Sequence, residues 1–369
     1  MVQRKILVLA TSGIVALGVT ACGSSDNGSS GGTSTSSQKL GGTINGAGAT
    51  FPAPVYQEWG NRFKQRFGTT VNYQAIGSGG GIAQFTQKTV EFGASDAAMT
   101  DDEIKAAAKN GAAVHIPTVL GAVTVSYDLD GVDKGLKLDG ATVADLFLGK
   151  IKHWNDPAIA KLNSGVKLAS EKVTVCHRSD ESGTTKNFTQ FLAHYSPAWK
   201  KGPGVDKTVK WPTGTGAKGN DGVAGCVKQT KGAVGYVEQA YALQNNFTTA
   251  DVKNAAGKFV APTLDSTSAA GVGAKPPPDL RFSTINAAGA QAYPISAVTF
   301  LLVYRDLCQG GMSQTQAKAV KTWLDYATGD GQQVATQLQY APLPASVLSK
   351  AKAKVTGLQC NGRPVQGAA

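Results

Sequence analysis

The chain has 369 residues, which is long enough for two globular lobes that each bury a core. Its formal net charge at pH 7 is +11, from 36 Lys and Arg residues against 25 Asp and Glu residues. The basic residues are scattered among acidic ones and form no stripe with interleaved aromatic residues, which argues against binding to nucleic acid.

The N-terminal segment predicts export. Arg4 and Lys5 precede an apolar run over residues 6–19, which has the length of a signal peptide and is shorter than the roughly 20 residues of a membrane span. The Val-Thr-Ala-Cys sequence ending at Cys22 resembles a bacterial lipoprotein signal, in which that cysteine becomes the lipidated first residue. We predict a signal peptide over 1–21 and a lipid anchor at the outer face of the cell membrane. A soluble secreted chain cleaved nearby is the alternative.

Residues 22–37 are almost entirely Gly, Ser, Thr, Asn and Asp after the cysteine, a composition typical of a flexible linker. Four further cysteines suggest two disulfides among three pairings in an exported chain. We favour Cys176 with Cys226 and Cys308 with Cys360, because each pair then stays within one region of the chain. No metal site is expected, since no two of these cysteines and none of the four histidines fall at zinc-ligand spacing.

After the linker, short β-like runs alternate with helical ones, which favours α/β layers around a largely parallel sheet. The capping box Thr100-Asp101-Asp102-Glu103 opens one of the helices. In chain order, the first part of this body reads as a strand at 43–46, a helix with apolar residues from 56 to 67, a strand at 71–76, a helix at 81–88 and a strand at 90–94.

Two long β-rich runs, 114–129 and 293–304, lie far apart in sequence and suit a pair of strands crossing between two lobes. We predict lobe 1 over 38–123 and 296–369, and lobe 2 over 124–295. Further helices are predicted at 142–148, 186–195, 221–229 and 313–327.

Three glycine-rich turns each follow a predicted strand. The turn 46–52 brings Thr50 to the start of a helix, and the turn 77–81 leaves backbone N–H groups bare for an anion. The turn 93–96 delivers Asp96 to the carboxyl end of a strand, where ligands bind in parallel sheets. Each has a structural alternative: the first two as tight turns, and Asp96 as the cap of the next helix.

The fourth turn has the layout of an anion cradle. A β-rich run over 173–176 leads into the polar turn 177–185 and then into apolar residues at helical spacing. A helix start favours a bound anion, and Arg178, Ser182 and Thr184 add donors there. The Arg178 guanidinium suits paired contacts with an oxyanion, and Asp180 can hold it in place.

Two motifs that suggest other functions are not accepted as functional sites. Residues 214–219 fit a dinucleotide fingerprint by letter, but no clear strand precedes them, so we interpret them as a loop before the helix at 221. His177 and Ser182 invite a hydrolase assignment, yet no G-x-S-x-G elbow occurs and nothing marks a base oriented by a third group.

Taken with Trp211-Pro212, Gly219-Asn220-Asp221-Gly222 and residues 232–238, the four turns resemble the substrate-binding protein family of bacterial phosphate ABC transporters. The resemblance covers nearly the whole mature chain. It implies two α/β lobes of the type II periplasmic-binding-protein fold, joined by a hinge. It also implies a monomer without a cofactor that closes over phosphate and hands it to a membrane permease. Carried over by position, the ligand contacts fall on Thr50, Phe51 (through its backbone N–H), Ser78, Asp96, Arg178, Ser182, Gly183 and Thr184.

The same resemblance makes Asp180 the acid that pairs with the arginine, and it exposes two departures. Gly79 stands where a second serine is common, and Glu181 stands where a glycine is usual. The Glu181 charge would weaken anion binding unless it points to solvent.

The numbers of hydrogen-bond donors and acceptors then predict which anion the site selects. An ionised Asp96 can only accept, so it requires a ligand oxygen that carries a proton, which phosphate has near neutral pH and sulfate lacks. Sites of this kind can reject the analogue without the hydrogen by about 10⁴ or more. The rival hypotheses are a receptor for another oxyanion, such as sulfate or molybdate, and a secreted phosphatase with Ser182 or a water as nucleophile.

Overall fold

The computed structural model of this chain describes residues 39–132 and 135–368. The predicted signal peptide, the linker and Cys22 lie outside these residues. The strands are β1 Thr43–Gly48, β2 Thr70–Ala75, β3 Phe92–Ser95, β4 Ala113–Tyr127, β5 Lys137–Leu138, β6 Thr174–Arg178, β7 Thr215–Ala217, β8 Ala233–Glu238, β9 Thr248–Thr249, β10 Asp251–Lys253, β11 Phe259–Val260, β12 Ser296–Tyr304, β13 Ala341–Pro342, β14 Gln359–Cys360 and β15 Arg363–Pro364. The helices are α1 Ala53–Phe67, α2 Ser78–Thr86, α3 Asp101–Ala108, α4 Gly140–Phe147, α5 Pro157–Leu162, α6 Gly183–Tyr195, α7 Pro197–Lys201, α8 Gly219–Gln229, α9 Gln239–Gln244, α10 Leu264–Gly271, α11 Gln314–Ala327, α12 Gly331–Gln337 and α13 Ala345–Thr356.

The main sheet has the strand order β2-β1-β3-β12-β4-β8-β6-β7. Pairing is parallel at its two ends, among β2, β1 and β3 and among β8, β6 and β7. In the middle, β12 and β4 run antiparallel to their neighbours. The expectation of a largely parallel sheet is therefore wrong for the centre, where the two long strands pair with each other in opposite directions.

Strand β4 serves both halves of this sheet. Residues 113–122 pair with β12, and Val123 begins the pairing with β8. Helix α10, which falls in the predicted second lobe, packs against β4 and β13. The lobe limits at 123 and 295 stay a prediction.

Most predicted elements appear within a few residues of their expected limits, and the Thr100–Glu103 capping box opens α3 with both hydrogen bonds present. Helices α2 and α6 begin three residues earlier than predicted, at Ser78 and Gly183. The segment 214–219 is not a loop throughout, because 215–217 form β7 alongside β6. Sheet pairing there outweighs the low strand propensity of glycine.

The core is dominated by aromatic packing between helices and the sheet. On one side Trp59 and Phe63 of α1 pack against Trp323 of α11, and all three are fully buried. On the other, Phe188 of α6 stacks on Tyr236 of β8 with ring centroids 4.4 Å apart. These contacts fix α1 and α6, whose first turns lie at the candidate site.

Both predicted disulfides are present. Cys176 on β6 is joined to Cys226 on α8, and Cys308 is joined to Cys360. The first of them ties β6, which ends at the candidate site, to α8, which begins there. Among the residues that the structure describes, no helix combines the length and apolar character needed to span a membrane.

Candidate functional site

Four chain segments converge at one buried place. The turn before α1 meets the start of α8, where the Asn220 backbone N–H donates to Thr50 Oγ1 at 3.1 Å. The start of α2 meets the start of α6, where the Gly183 N–H donates to Ser78 Oγ at 3.1 Å. The N-termini of helices carry partial positive charge and unpaired N–H groups, so their convergence favours an anion.

Three backbone N–H groups in these turns are available to a bound anion. Those of Phe51, Ser78 and Thr184 find no acceptor within residues 39–132 and 135–368. The Phe51 group is also oriented, because Tyr241 donates to the Thr50 carbonyl oxygen at 2.6 Å. That carbonyl and the Phe51 N–H belong to one trans peptide and point in opposite directions.

Arg178 supplies the buried positive charge at the end of β6, with 3% of its surface exposed. Its Nε and Nη2 donate to the two carboxylate oxygens of Asp180 at 2.7 and 2.6 Å. The Gly219 N–H adds a 3.0 Å bond to the same carboxylate. Partial burial raises the pKa of Asp180, but the Arg178 hydrogen bonds and charge outweigh it, so its pKa lies below its usual range. Asp180 therefore stays ionised and holds the guanidinium fork in place.

Asp96 is the second buried carboxylate of the site, at the end of β3. Its Oδ1 accepts from the Thr299 hydroxyl at 3.0 Å and its Oδ2 accepts from the Thr184 hydroxyl at 3.4 Å. Burial raises its pKa from 3.8 to about 7, although the Thr299 bond and the Arg178 charge oppose the rise. A pKa of about 7 leaves this carboxyl partly protonated near neutral pH, whereas the sequence argument assumed the ionised state.

The Ser78 hydroxyl at the site is held as a donor. Ser78 Oγ accepts from the N–H groups of Asp96 and Gly183 at 3.3 and 3.1 Å, which occupies its lone pairs. Ser182 Oγ accepts from the Thr185 N–H and caps α6, while its own N–H donates to the Lys207 carbonyl oxygen. Within residues 39–132 and 135–368 neither hydroxyl proton has an acceptor, so both are available to a ligand.

All of the residues carried over by resemblance lie together and buried: Thr50, Phe51, Ser78, Asp96, Arg178, Ser182, Gly183 and Thr184. The N–H of Gly183, a predicted ligand donor, is engaged by Ser78 in this structure. The assignment of these residues as phosphate contacts stays a prediction.

Sequence reasoning missed three polar neighbours of the site. Thr299 reaches Asp96 from β12, and Asn187 donates to the Asp96 carbonyl oxygen at 2.7 Å. Asn220 donates from Nδ2 to Thr50 Oγ1 at 2.7 Å. The motif containing Asn220 was recognisable, but no local signal marks Thr299, because strand pairing alone brings it to Asp96.

The two departures from the family pattern are neighbours in space. The Gly79 N–H donates to the Glu181 carbonyl oxygen at 3.0 Å, and a Cβ built on Gly79 would overlap the Glu181 side chain. Glu181 itself is exposed. The missing side chain at 79 therefore makes the room that the glutamate occupies.

Comparison with known proteins assigns this chain to a family. A family model described as the PBP superfamily domain matches residues 33–330. Phosphate-binding protein PstS of Pasteurella multocida is 42% identical over 315 residues, covering 85% of this chain and 89% of that protein. Phosphate-binding protein PstS of Haemophilus influenzae is 42% identical over 317 residues, covering 85% and 92%.

Among solved structures, a periplasmic phosphate-binding protein named PfluDING, bound with phosphate, superposes with a TM-score of 0.71 at 23% identity. The match covers 88% of this chain and 100% of that one, and it supports the two-lobed α/β fold. With the family model and the relatives above 40% identity, the chain belongs to the PBP superfamily and, within it, to the PstS family of phosphate-binding proteins.

Proposed function

We infer that this chain is an extracytoplasmic substrate-binding protein that captures inorganic phosphate between two lobes and delivers it to an ABC transporter permease for import. The observation that carries this function is the pairing, in one buried place, of the Arg178 cation and backbone N–H groups without an acceptor among the described residues with the carboxyl of Asp96. The PstS relatives are named for phosphate binding, which agrees with that chemistry.

Selectivity follows from one hydrogen between Asp96 and the ligand. A neutral Asp96 carboxyl can donate to an anion oxygen, whereas an ionised one can only accept from a ligand that brings a proton. Phosphate satisfies both states, because it still carries hydrogen near neutral pH. Sulfate can accept a hydrogen bond from the neutral carboxyl, but it has no proton to donate to the ionised one. Rejection of sulfate is therefore expected to be strongest above the Asp96 pKa of about 7.

Binding without catalysis is the better-supported use of the cradle. The histidine nearest Ser182 in sequence is His177, whose ring stacks on Trp211 with centroids 4.7 Å apart. Its Nδ1 lies 3.1 Å from the Arg178 carbonyl oxygen. These contacts occupy the ring with structural partners, and a hydrolase would need a base that activates the serine or a water.

The partners and location follow from the same inference. The protein acts as a monomer that a lipid on Cys22 anchors to the outer face of the membrane, beside its permease. Growth with labelled palmitate tests the anchor, since wild-type protein should carry label in the membrane fraction. The Cys22→Ala variant should carry none, and equal labelling of both would overturn the anchor.

Calorimetric titration of the mature protein with phosphate, sulfate and molybdate tests the central function. We expect stoichiometric binding of phosphate, weak binding of sulfate and no turnover of a phosphate monoester. Preference for sulfate or molybdate would identify a different oxyanion receptor. Steady turnover that Ser182→Ala abolishes would identify a phosphatase.

A further inference from the structure

Asn220 is a fully buried amide whose orientation is fixed by its surroundings. It lies in the first turn of α8, and its Oδ1 accepts from the Glu238 backbone N–H at 2.9 Å. An amide has one carbonyl oxygen and one NH₂ group, so this bond turns Nδ2 to the opposite side. There Nδ2 donates to Thr50 Oγ1 at 2.7 Å.

The Thr50 hydroxyl is thereby committed as a donor. Its oxygen accepts from Asn220 twice, from Nδ2 at 2.7 Å and from the backbone N–H at 3.1 Å. A hydroxyl oxygen has two lone pairs and one proton, so both acceptor positions are taken. In the part of the chain that the structure describes, the Thr50 proton has no acceptor, so it is left for a bound anion.

We propose that Asn220 is a positioning residue for anion binding, which fixes the Thr50 hydroxyl as an obligate donor to the ligand. The proposal rests on the proposed function, because it assumes that Thr50 contacts the bound oxyanion. A free threonine hydroxyl rotates and offers lone pairs as readily as its proton, and a lone pair facing an anion is repulsive. Asn220 removes that alternative before the ligand arrives.

The same amide also connects parts of the chain that are distant in sequence. Nδ2 lies 3.5 Å from Thr184 Oγ1, at the start of α6, while Thr50 precedes α1 and Glu238 ends β8. Thr184 in turn donates to Asp96. A single buried side chain therefore ties two hydroxyls of the candidate site to one backbone position.

A double-mutant cycle tests the proposal. Asn220→Ala should weaken phosphate binding about 10–100-fold, the range for one bond to a charged group. In a Thr50→Val background, which has no hydroxyl to orient, Asn220→Ala should cost less than about threefold. Calorimetry gives the four dissociation constants. The exposed Asn72→Ala serves as the matched control and should leave binding unchanged.

Asn220→Asp is the second variant, because it keeps the shape and still accepts from the Glu238 N–H. When ionised, the outer carboxylate oxygen of this variant can only accept, so it should turn the Thr50 proton away from the anion. Because Asn220 is fully buried, we expect a lower unfolding temperature than wild type, and a loss of binding at least as large as that of Asn220→Ala at pH values above the raised pKa of the new carboxyl.

Equal fold-losses for Asn220→Ala with and without the Thr50 hydroxyl would overturn the proposal, as would phosphate binding by Asn220→Asp at wild-type strength. These outcomes differ from failure of the proposed function, in which wild-type protein itself does not bind phosphate. If wild type binds another oxyanion instead, the same four dissociation constants are measured with that anion.

Discussion

The two aspartates of the site have the same side chain, but their pKa values are shifted in opposite directions. Asp180 accepts three N–H hydrogen bonds, two from the Arg178 cation and one from the Gly219 backbone, and its pKa is lowered. Asp96 is more deeply buried, accepts from two hydroxyl donors and forms no ion pair within the part of the chain that the structure describes, and its pKa rises to about 7. Environment thus makes one a fixed counter-ion and the other a proton-exchanging group.

This contrast assigns different tasks to the two regions. The region of Arg178 and Asp180 supplies charge in a rigid geometry, which any small oxyanion can use. Under the proposed function, the task of the region of Asp96 is to distinguish ligands by whether they carry a proton. Substitutions in the first region should therefore affect all anions alike, and substitutions in the second should affect the choice between them.

The largest effect is expected for Arg178→Ala. It removes charge-assisted bonds worth about 1.5–3 kcal/mol each and leaves Asp180 unpaired, so phosphate and sulfate affinity should both fall about 10³-fold or more. Arg62→Ala, which breaks an exposed pair with Glu58, is the matched control. If calorimetry gives the variant an affinity within threefold of wild type, Arg178 does not contact the bound anion.

Asp96→Asn should relax selectivity, because an amide can donate to an unprotonated oxygen. We expect the ratio of phosphate to sulfate affinity to fall on the order of 100-fold, mainly through tighter sulfate binding. Competition titrations measure the ratio, with the exposed Asp102→Asn as control. An unchanged ratio would mean that selectivity arises outside this carboxylate.

The raised pKa of Asp96 also predicts how stability without ligand depends on pH. Between its unfolded value of 3.8 and about 7, the folded protein holds a proton that the unfolded chain releases. This contribution is fully present below the unfolded value and is lost as pH rises through about 7. In urea unfolding, the stability of wild type relative to Asp96→Asn should fall on the order of 4 kcal/mol from pH 4 to 8, at about 1.4 kcal/mol for each unit of pKa shift. Parallel pH profiles would contradict the assignment.

The smallest expected effect concerns the contact between Gly79 and Glu181. Gly79→Ser alone should weaken phosphate binding about tenfold, because the new side chain displaces Glu181 next to the Ser78 donor. Adding Glu181→Gly should restore most of the loss, since it removes the obstructing side chain. If the double variant binds no better than Gly79→Ser, the two positions do not compensate each other.

Local signals in the sequence predicted what depends on local chemistry. The capping box at Thr100 and the strands and helices around the turns follow from residue patterns over a few positions. The disulfide of Cys176 with Cys226 was favoured because both lie in one region. The early start of α6 at Gly183 was missed, since glycine and threonine carry little helix propensity and the fold imposes the helix there.

What the sequence could not predict depends on pairing and burial. Thr299 reaches Asp96 because β12 lies next to β3, a contact across 203 positions. The charge state of Asp96 depends on exclusion of water, which no local pattern records. The β7 strand was missed because its glycine-rich segment pairs with β6 only in the folded chain.

The Cys176–Cys226 disulfide fastens the strand that ends at Arg178 to the helix that begins beside Asn220. Thiols stay reduced in the cytosol and are oxidised after export. We therefore expect the covalent link between this strand and this helix to form only after the chain is exported. Before export, hydrogen bonds and packing alone would hold the two elements of the candidate site together.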